Sequence, residues 1–250
     1  MKTYTQDFYS NRNQLTIYSA NTILSMLLEI IPAIDSAIDV GCGVGTWLSV
    51  LKDKGIEDIQ GVDGKWVDKR LLVIPKDSFL EADLNKPIQL PRRFDLVISL
   101  EVAEHLSNDS ASDFVYLLTE LSDYILFSAA IPFQGGVNHV NERWQQYWVE
   151  LFASYEYIVY DFIRKRIWND DKIPVCYRQN ILFFVKKTRT STIKIEPGNL
   201  SKEFFSLNIV HPDMYLSKVR EIPNSVIGSL NLLHRTLKNY ITKKIKMIRQ

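Results

Sequence analysis

The chain has 250 residues, 46% hydrophobic and 24% charged, with a formal net charge of +1. That balance suits one large soluble domain, or one domain with an appendage, and it excludes disorder. The near-neutral total hides an asymmetry: residues 1–187 carry 19 Lys and Arg against 25 Asp and Glu, while residues 188–250 carry 11 against 4. The acidic body argues against nucleic acid as a partner there, and the basic tail is a segment of another kind.

Residues Met1–Arg12 are polar and lack the positive-then-apolar pattern of an export signal. Ile23–Ile31 is interrupted by Ser25 and Glu29 and is too short to cross a bilayer. A cytoplasmic chain is therefore expected. Cys42 and Cys176 form no metal-type pair and fit a reducing compartment.

From Asn13 to Ile31, apolar residues (Ile17, Ala20, Leu24, Leu27, Leu28, Ile31) recur at helical spacing, and Pro32 stops the helix. Ala37–Val40 reads as a buried strand ending at Gly41, and Thr46–Lys54 as a helix closed by Gly55. Ile59–Val62 is a second strand, followed by Asp63. Ser78–Ala82 is a third and Phe94–Leu100 a fourth. Ser112–Leu121 is a helix, and Tyr124–Ile131 a fifth strand ended by Pro132. Glu142–Tyr155 is an aromatic-rich helix, and Tyr157–Ile163 and Ile181–Val185 are the last strands. Strands alternating with helices predict an α/β fold: a Rossmann-like, mostly parallel seven-stranded sheet with helices on both faces. No helix is predicted between the last two strands, so they should form an antiparallel hairpin.

One domain is expected over residues 1–187 and a helical extension over 188–250. The extension ends in Ser225–Gln250, where Val226, Leu230, Leu233, Leu237, Ile241, Ile245 and Ile248 share a helical face with six Lys and Arg and no acid. Such a helix packs on its own domain or on a second copy in a homodimer; a peripheral membrane contact is the alternative.

The chemistry concentrates at strand ends. Asp39-Val-Gly41-Cys-Gly43-Val-Gly45 lies between a strand and a helix. Glycines allow a sharp turn and a ligand against bare backbone, and the helix start offers unpaired N–H groups. A dinucleotide fold would show GxGxxG; here Thr46 takes the place of the third glycine. Asp63 follows Gly45 by 18 residues, close to the offset of an acid that accepts from ribose hydroxyls.

This pattern resembles class I S-adenosylmethionine (SAM)-dependent methyltransferases. The resemblance spans Ala37–Lys186. It implies that Asp39, Gly41, Gly43 and Gly45 hold the amino-acid end of SAM and that Asp63 holds its ribose. It also implies that Asp83 and Leu84, in Glu81-Ala-Asp83-Leu84, hold its adenine.

A fourth motif, Glu101-Val-Ala-Glu104-His105, is delivered to the carboxyl edge of the sheet, where open α/β folds bind ligands. A glycine-opened loop, Gly135-Gly136-Val-Asn138-His139-Val-Asn141-Glu142, follows the fifth strand. With His139, this motif is similar to the metal cluster of ubiquinone-biosynthesis O-methyltransferases and of small-RNA 3′-end methyltransferases. The resemblance implies that Glu101, Glu104, His105 and His139 bind Mg²⁺ or Mn²⁺, with Glu101 also bordering the cofactor. The other reading is metal-free, with His105 or His139 as general base. The segment from Ser128 to Trp148 also looks like methyltransferases of bacterial surface-glycan clusters. The expected activity is O-methylation of a small hydroxylated acceptor such as a sugar or a capsule building block. A 3′-end RNA methyltransferase and a non-catalytic SAM-fold interaction subunit are the alternatives.

The aromatic group Trp144, Tyr147, Trp148, Phe152 and Tyr155 is expected to pack on the sheet, with Trp144 and Arg143 the candidates for an acceptor pocket. Tyr4, Phe8 and Tyr9 are candidates for a lid over SAM.

Overall fold

Seven short apolar runs pair into one sheet: β1 (Ser36–Val40), β2 (Asp58–Asp63), β3 (Phe79–Glu81), β4 (Leu96–Leu100), β5 (Tyr124–Ser128), β6 (Tyr157–Tyr160) and β7 (Leu182–Lys186). The computed structural model describes residues 6–88, 90, 92–194 and 207–220, with isolated positions between 226 and 238. The strand order is β3-β2-β1-β4-β5-β7-β6, and only β7 runs antiparallel to its neighbours. All other strand ends therefore converge on one carboxyl edge.

Alternate residues of each strand face opposite sides, and both sides are buried. Ala37, Leu96, Ile98, Leu126 and Phe183 pack into one core layer, with α1 (Gln6–Ile30) and α2 (Thr46–Asp53). Ile38, Val97, Ile125, Phe127 and Phe184 pack into the other, with α3 (Ala111–Leu121) and α4 (Gln145–Ser154). The predicted mostly parallel sheet with helices on both faces is what forms.

Several boundaries move for local reasons. α1 starts at Gln6 rather than Asn13, since no Pro or Gly interrupts Gln6–Arg12. β5 stops at Ser128, short of Ile131: Ser128 O still accepts from Glu101 N–H across the sheet, whereas Ala130 O accepts from Arg143 N–H of the loop that follows. α4 starts at Gln145, not Glu142, because Trp144 is extended at ψ 150 and Glu142 is engaged with the preceding loop. Two short helices, α5 (Ile163–Ile167) and α6 (Val175–Asn180), stand between β6 and β7, where none was expected. The antiparallel pairing survives because these helices fill a loop at the carboxyl edge and do not cross over the sheet. A buried ion pair, Arg164 with Asp161, anchors α5, and the guanidinium also donates to Gln179 O and Leu207 O. Five residues are too few to show helical periodicity, so α5 carried no sequence signal.

The chain divides into two units, Met1–His211 and Pro212–Gln250. Residues beyond Lys187 belong to the first: Arg189 pairs with Asp123, Lys194 N–H donates to Ile30 O, and Leu207 is in the core. The second unit begins with α7 (Pro212–Val219), whose Pro212 suits a first helical position. Most of the predicted helix Ser225–Gln250 lies outside the described residues. Its described apolar positions, Val226, Leu230, Leu233 and Leu237, are exposed. Tyr4 also lies outside the described residues, and Phe8 and Tyr9 fall within α1. Among the described residues, no helix is long and apolar enough to cross a membrane.

Candidate active site

The glycine loop joins β1 to α2 at the carboxyl edge. Gly41 N–H and Cys42 N–H both donate to Val62 O, at 2.7 and 3.2 Å, which folds the loop back over β2. Gly41 has φ +93, and a Cβ there would stand 2.2 Å from Val102 Cγ2. Backbone conformation and close approach both demand glycine. α2 then begins at Thr46 with no side-chain cap on its first N–H groups.

Two acids lie against this loop. Asp63 Oδ2 accepts from Gly43 N–H at 2.7 Å and Oδ1 from Gly64 N–H at 2.6 Å. The Trp66 indole also donates to it, and that side chain is otherwise open, with Trp66 70% exposed. Burial pushes the Asp63 carboxyl above the usual range, against these donors. Asp39 is 3% exposed. Burial first, and the charge of Asp63 second, push it well above the usual range. The same surroundings raise the Cys42 thiol, so it stays protonated and inert; both cysteines are free.

Asp83 lies just past β3. Its carboxylate accepts from Asn85 N–H at 3.1 Å and pairs with Lys86, which together hold it below the usual range. Ala82 N–H donates to Asp63 O, so this turn runs beside the Asp63 corner. Leu84 is buried in the core layer that contains α3.

The turn after β4 carries the second group. Glu101 has φ +56, a left-handed conformation uncommon away from glycine. Its carboxylate is clasped by two amides: Gln134 Nε2 donates at 2.8 Å and Asn180 Nδ2 at 3.1 Å. Asn180 also donates to Gln134 Oε1. Burial raises the Glu101 carboxyl in spite of these bonds.

Glu104 is 0% exposed. Neither carboxylate oxygen has a hydrogen-bond partner. The N–H groups of Glu104 itself and of Ala130 favour the charge without reaching bonding geometry. Burial, reinforced by the charge of Glu101, pushes this carboxyl up to about 9. The Glu104 backbone O holds the loop after β5 by accepting from Val140 N–H and Asn141 N–H.

That loop brings His139 to His105: the rings meet edge-on with centroids 4.8 Å apart. One donor atom from each of Glu104, His105 and His139 lies within 4.8 Å of the others. Each imidazole has one nitrogen already engaged. A His105 N–H donates to Asn138 O, and His139 Nδ1 stands 3.0 Å from Glu142 Oε1. Burial and then the neighbouring His139 lower the His105 pKa. The His139 ring lies on the bare Cα of Gly136, where a Cβ would fall 2.1 Å from Nε2.

Of the residues read from sequence as metal ligands, Glu104, His105 and His139 are brought together, while the Glu101 carboxylate is committed to Gln134 and Asn180. Trp148 and Phe152 pack on the sheet against Phe127, as the aromatic pattern predicts. Trp144, at 40% exposure, does not. Gln134, Asn180 and Trp66 carry no role in the sequence reading, and Glu142 stands there only as the end of the glycine-opened loop. Glu142, three residues after His139, was the one with a local signal; Asn180 is 79 residues from Glu101 and had none.

A family model described as "Methyltransferase domain" matches residues 12–161. A comparison with curated proteins gives no match. Among solved structures, the methyltransferase bound to the Trm112 activator from Haloferax volcanii has a TM-score of 0.51 at 15% identity, covering 70% of this chain and 93% of that one. An O-methyltransferase family protein from Burkholderia thailandensis has a TM-score of 0.51 at 12% identity, covering 72% and 57%. The methyltransferase domain of bacterial CtHen1-C has a TM-score of 0.48 at 22% identity, covering 70% and 98%. The first two of these structures share the fold, and the family match takes in the glycine loop, both acid-bearing strand ends and the His139 loop: the chain belongs to the methyltransferase-domain family.

Proposed function

We propose that this chain transfers the methyl group of SAM to a hydroxyl of a small acceptor, such as a sugar or surface-glycan building block, with a divalent cation bound beside the acceptor. The observation that carries the reading is Glu104, a fully buried carboxylate with both oxygens unpartnered, next to two imidazoles whose outer nitrogens are already engaged. A buried anion without a partner is costly, and a cation removes the cost.

The donor set fits such an ion. Donors on opposite sides of one ion, with bonds of about 2.1 Å, stand ~4.2 Å apart, so the 4.8 Å spread needs only a small contraction. Two imidazoles and one carboxylate suit Mn²⁺ better than Mg²⁺, which prefers an all-oxygen shell. A cation there would take the acceptor hydroxyl and lower its pKa.

The chain's own residues do the rest. Asp39 offers its buried charge to the SAM ammonium, Asp63 accepts from the ribose hydroxyls, and the Asp83–Leu84 turn borders the adenine. Gly41, Gly43 and Gly45 let the cofactor approach the backbone. In the transfer, the S–CH₃ bond breaks with its electron pair left on sulfur, and an O–CH₃ bond forms. With both imidazoles holding the cation, the acidified hydroxyl proton leaves to water; with no cation bound, the free nitrogen of His105, the more exposed imidazole, accepts it and releases it to water.

The test is calorimetry on chelator-treated protein. SAM should bind, and Mn²⁺ should bind the parent but not Glu104→Gln. Absence of SAM binding would refute the donor assignment. Mn²⁺ binding that is equal in Glu104→Gln would refute the metal assignment.

A further inference from the structure

The loop between β5 and α4 is built around a single carboxylate, Glu142, to which none of the readings above gives a role. Glu142 Oε2 accepts from Phe133 N–H at 2.8 Å, and Oε1 from Gly135 N–H at 2.7 Å. The same Oε1 lies 3.0 Å from His139 Nδ1. The loop adopts unusual backbone to make these bonds: Phe133 has φ +68 and Gly135 φ +70. The Phe133 side chain, 85% exposed, gains nothing from that conformation. Its effect is to turn an N–H group onto Glu142.

Two backbone N–H groups donate to this carboxyl, one to each oxygen, and both favour its acceptor role. His139 Nδ1, against the same Oε1, is placed as a third donor. We propose that Glu142 is a positioning residue for His139, fixing the neutral imidazole with its proton on Nδ1 and leaving the Nε2 lone pair for the reaction site. A carboxylate behind an imidazole in this way sets both ring orientation and basicity. Gly136 supports the same placement, because any Cβ there would strike the ring. The inference rests on the reading of His139 as a site residue, but its own observable is the position of one proton.

The experiment is nitrogen NMR of the full chain with ¹⁵N-labelled histidine. The chain holds four histidines, so His139→Asn identifies the signal by its loss. The expected result is an Nδ1–H tautomer for His139 in the parent. Glu142→Ala should shift it toward Nε2–H and weaken Mn²⁺ binding by about 10- to 100-fold, with SAM binding retained. Glu142→Gln should restore the Nδ1–H tautomer in part, since its amide oxygen still serves Gly135 and His139 while its NH₂ opposes Phe133 N–H. A parent with its proton on Nε2 overturns the inference without any variant. A folded Glu142→Ala with an unchanged tautomer overturns it as well. A parent with the expected tautomer but no Mn²⁺ binding would count against the metal reading and leave the Glu142 role standing.

Discussion

Gly41→Ala tests whether the cofactor loop and the Glu101–His105 turn are mechanically joined. The new methyl group would stand 2.2 Å from Val102 Cγ2 and 2.9 Å from Cγ1, in a residue at φ +93. The left-handed backbone costs about 1–2 kcal/mol, and overpacking against buried Val102 about 1–3 kcal/mol. The sum, roughly 2–5 kcal/mol, corresponds to a fall in melting temperature of about 4–20 °C for a chain of this size. Val102→Ala alone should cost about 2 kcal/mol through lost burial. In the double variant the steric part disappears and the backbone part remains. Urea unfolding of the four proteins, at constant m, should therefore give a coupling energy of about 1–3 kcal/mol. Additivity within about 0.5 kcal/mol would mean that Gly41 and Val102 do not press on each other, and the close approach of the two loops would be wrong.

Asp39→Asn should move stability and affinity in opposite directions. Burial raises the folded-state pKa of Asp39 above its unfolded value near 3.8, so the folded state holds the proton more tightly. Its contribution to stability is therefore best at low pH and is lost as pH rises through the folded value. Asparagine has no such loss, so the melting temperature of the variant minus that of the parent should be larger at pH 8 than at pH 5, while SAM affinity falls by about 10-fold or more. A temperature difference independent of pH would show that Asp39 carries no burial cost. Trp66 should respond to the cofactor. A carboxylate offers about four acceptor positions, and Gly43, Gly64 and the indole occupy three on Asp63. Two ribose hydroxyls then displace the indole, and SAM should change a tryptophan emission component that is absent in Trp66→Phe; the same change in that variant would refute the displacement.

The sheet was legible because each strand is short, apolar on both faces and bounded by glycine, proline or acid, and because strands alternate with helices. The antiparallel end was reached for a reason that does not hold. α5 and α6 do intervene, but five- and six-residue helices leave no periodic trace, and the chain between β6 and β7 turns back at the carboxyl edge without crossing the sheet. The glycine loop and the two acids beside it could be read as one corner because the turn chemistry forces glycine at fixed spacing from acids. The Glu101-x-x-Glu104-His105 run was harder. Spacing alone treats both glutamates alike, yet φ +56 at Glu101 sends the chain through a turn in which its carboxylate meets Gln134 and Asn180. That partnership depends on Asn180, the last residue of α6 just ahead of β7, being brought across to Glu101, a tertiary fact with no local signature. Glu142 lies between these cases: its spacing from His139 was visible, but its role depends on two backbone N–H groups that only the folded loop supplies.

The site contains two carboxylates, Asp39 and Glu104, raised first of all by burial, one beyond the middle of β1 and one just past β4. Among the described residues no lysine or arginine is a main influence on either: the pressures on Asp39 are burial and Asp63, and those on Glu104 are burial, Glu101 and Glu142. A fold selected for stability alone would replace such groups with apolar side chains of similar volume at little cost. Retaining both makes the free protein less stable than its layers of packed strands and helices would allow. The deficit is recovered only when positive charge arrives. SAM carries an ammonium and a sulfonium, and a metal ion would bring two charges to Glu104. Each ligand then stabilises the folded chain by RT ln(1 + [L]/Kd), in proportion to the charge burial it relieves. On the proposed function the same two acids favour cationic ligands, because an uncharged analogue that fits the space leaves both carboxyls buried with no cation to meet their charged forms.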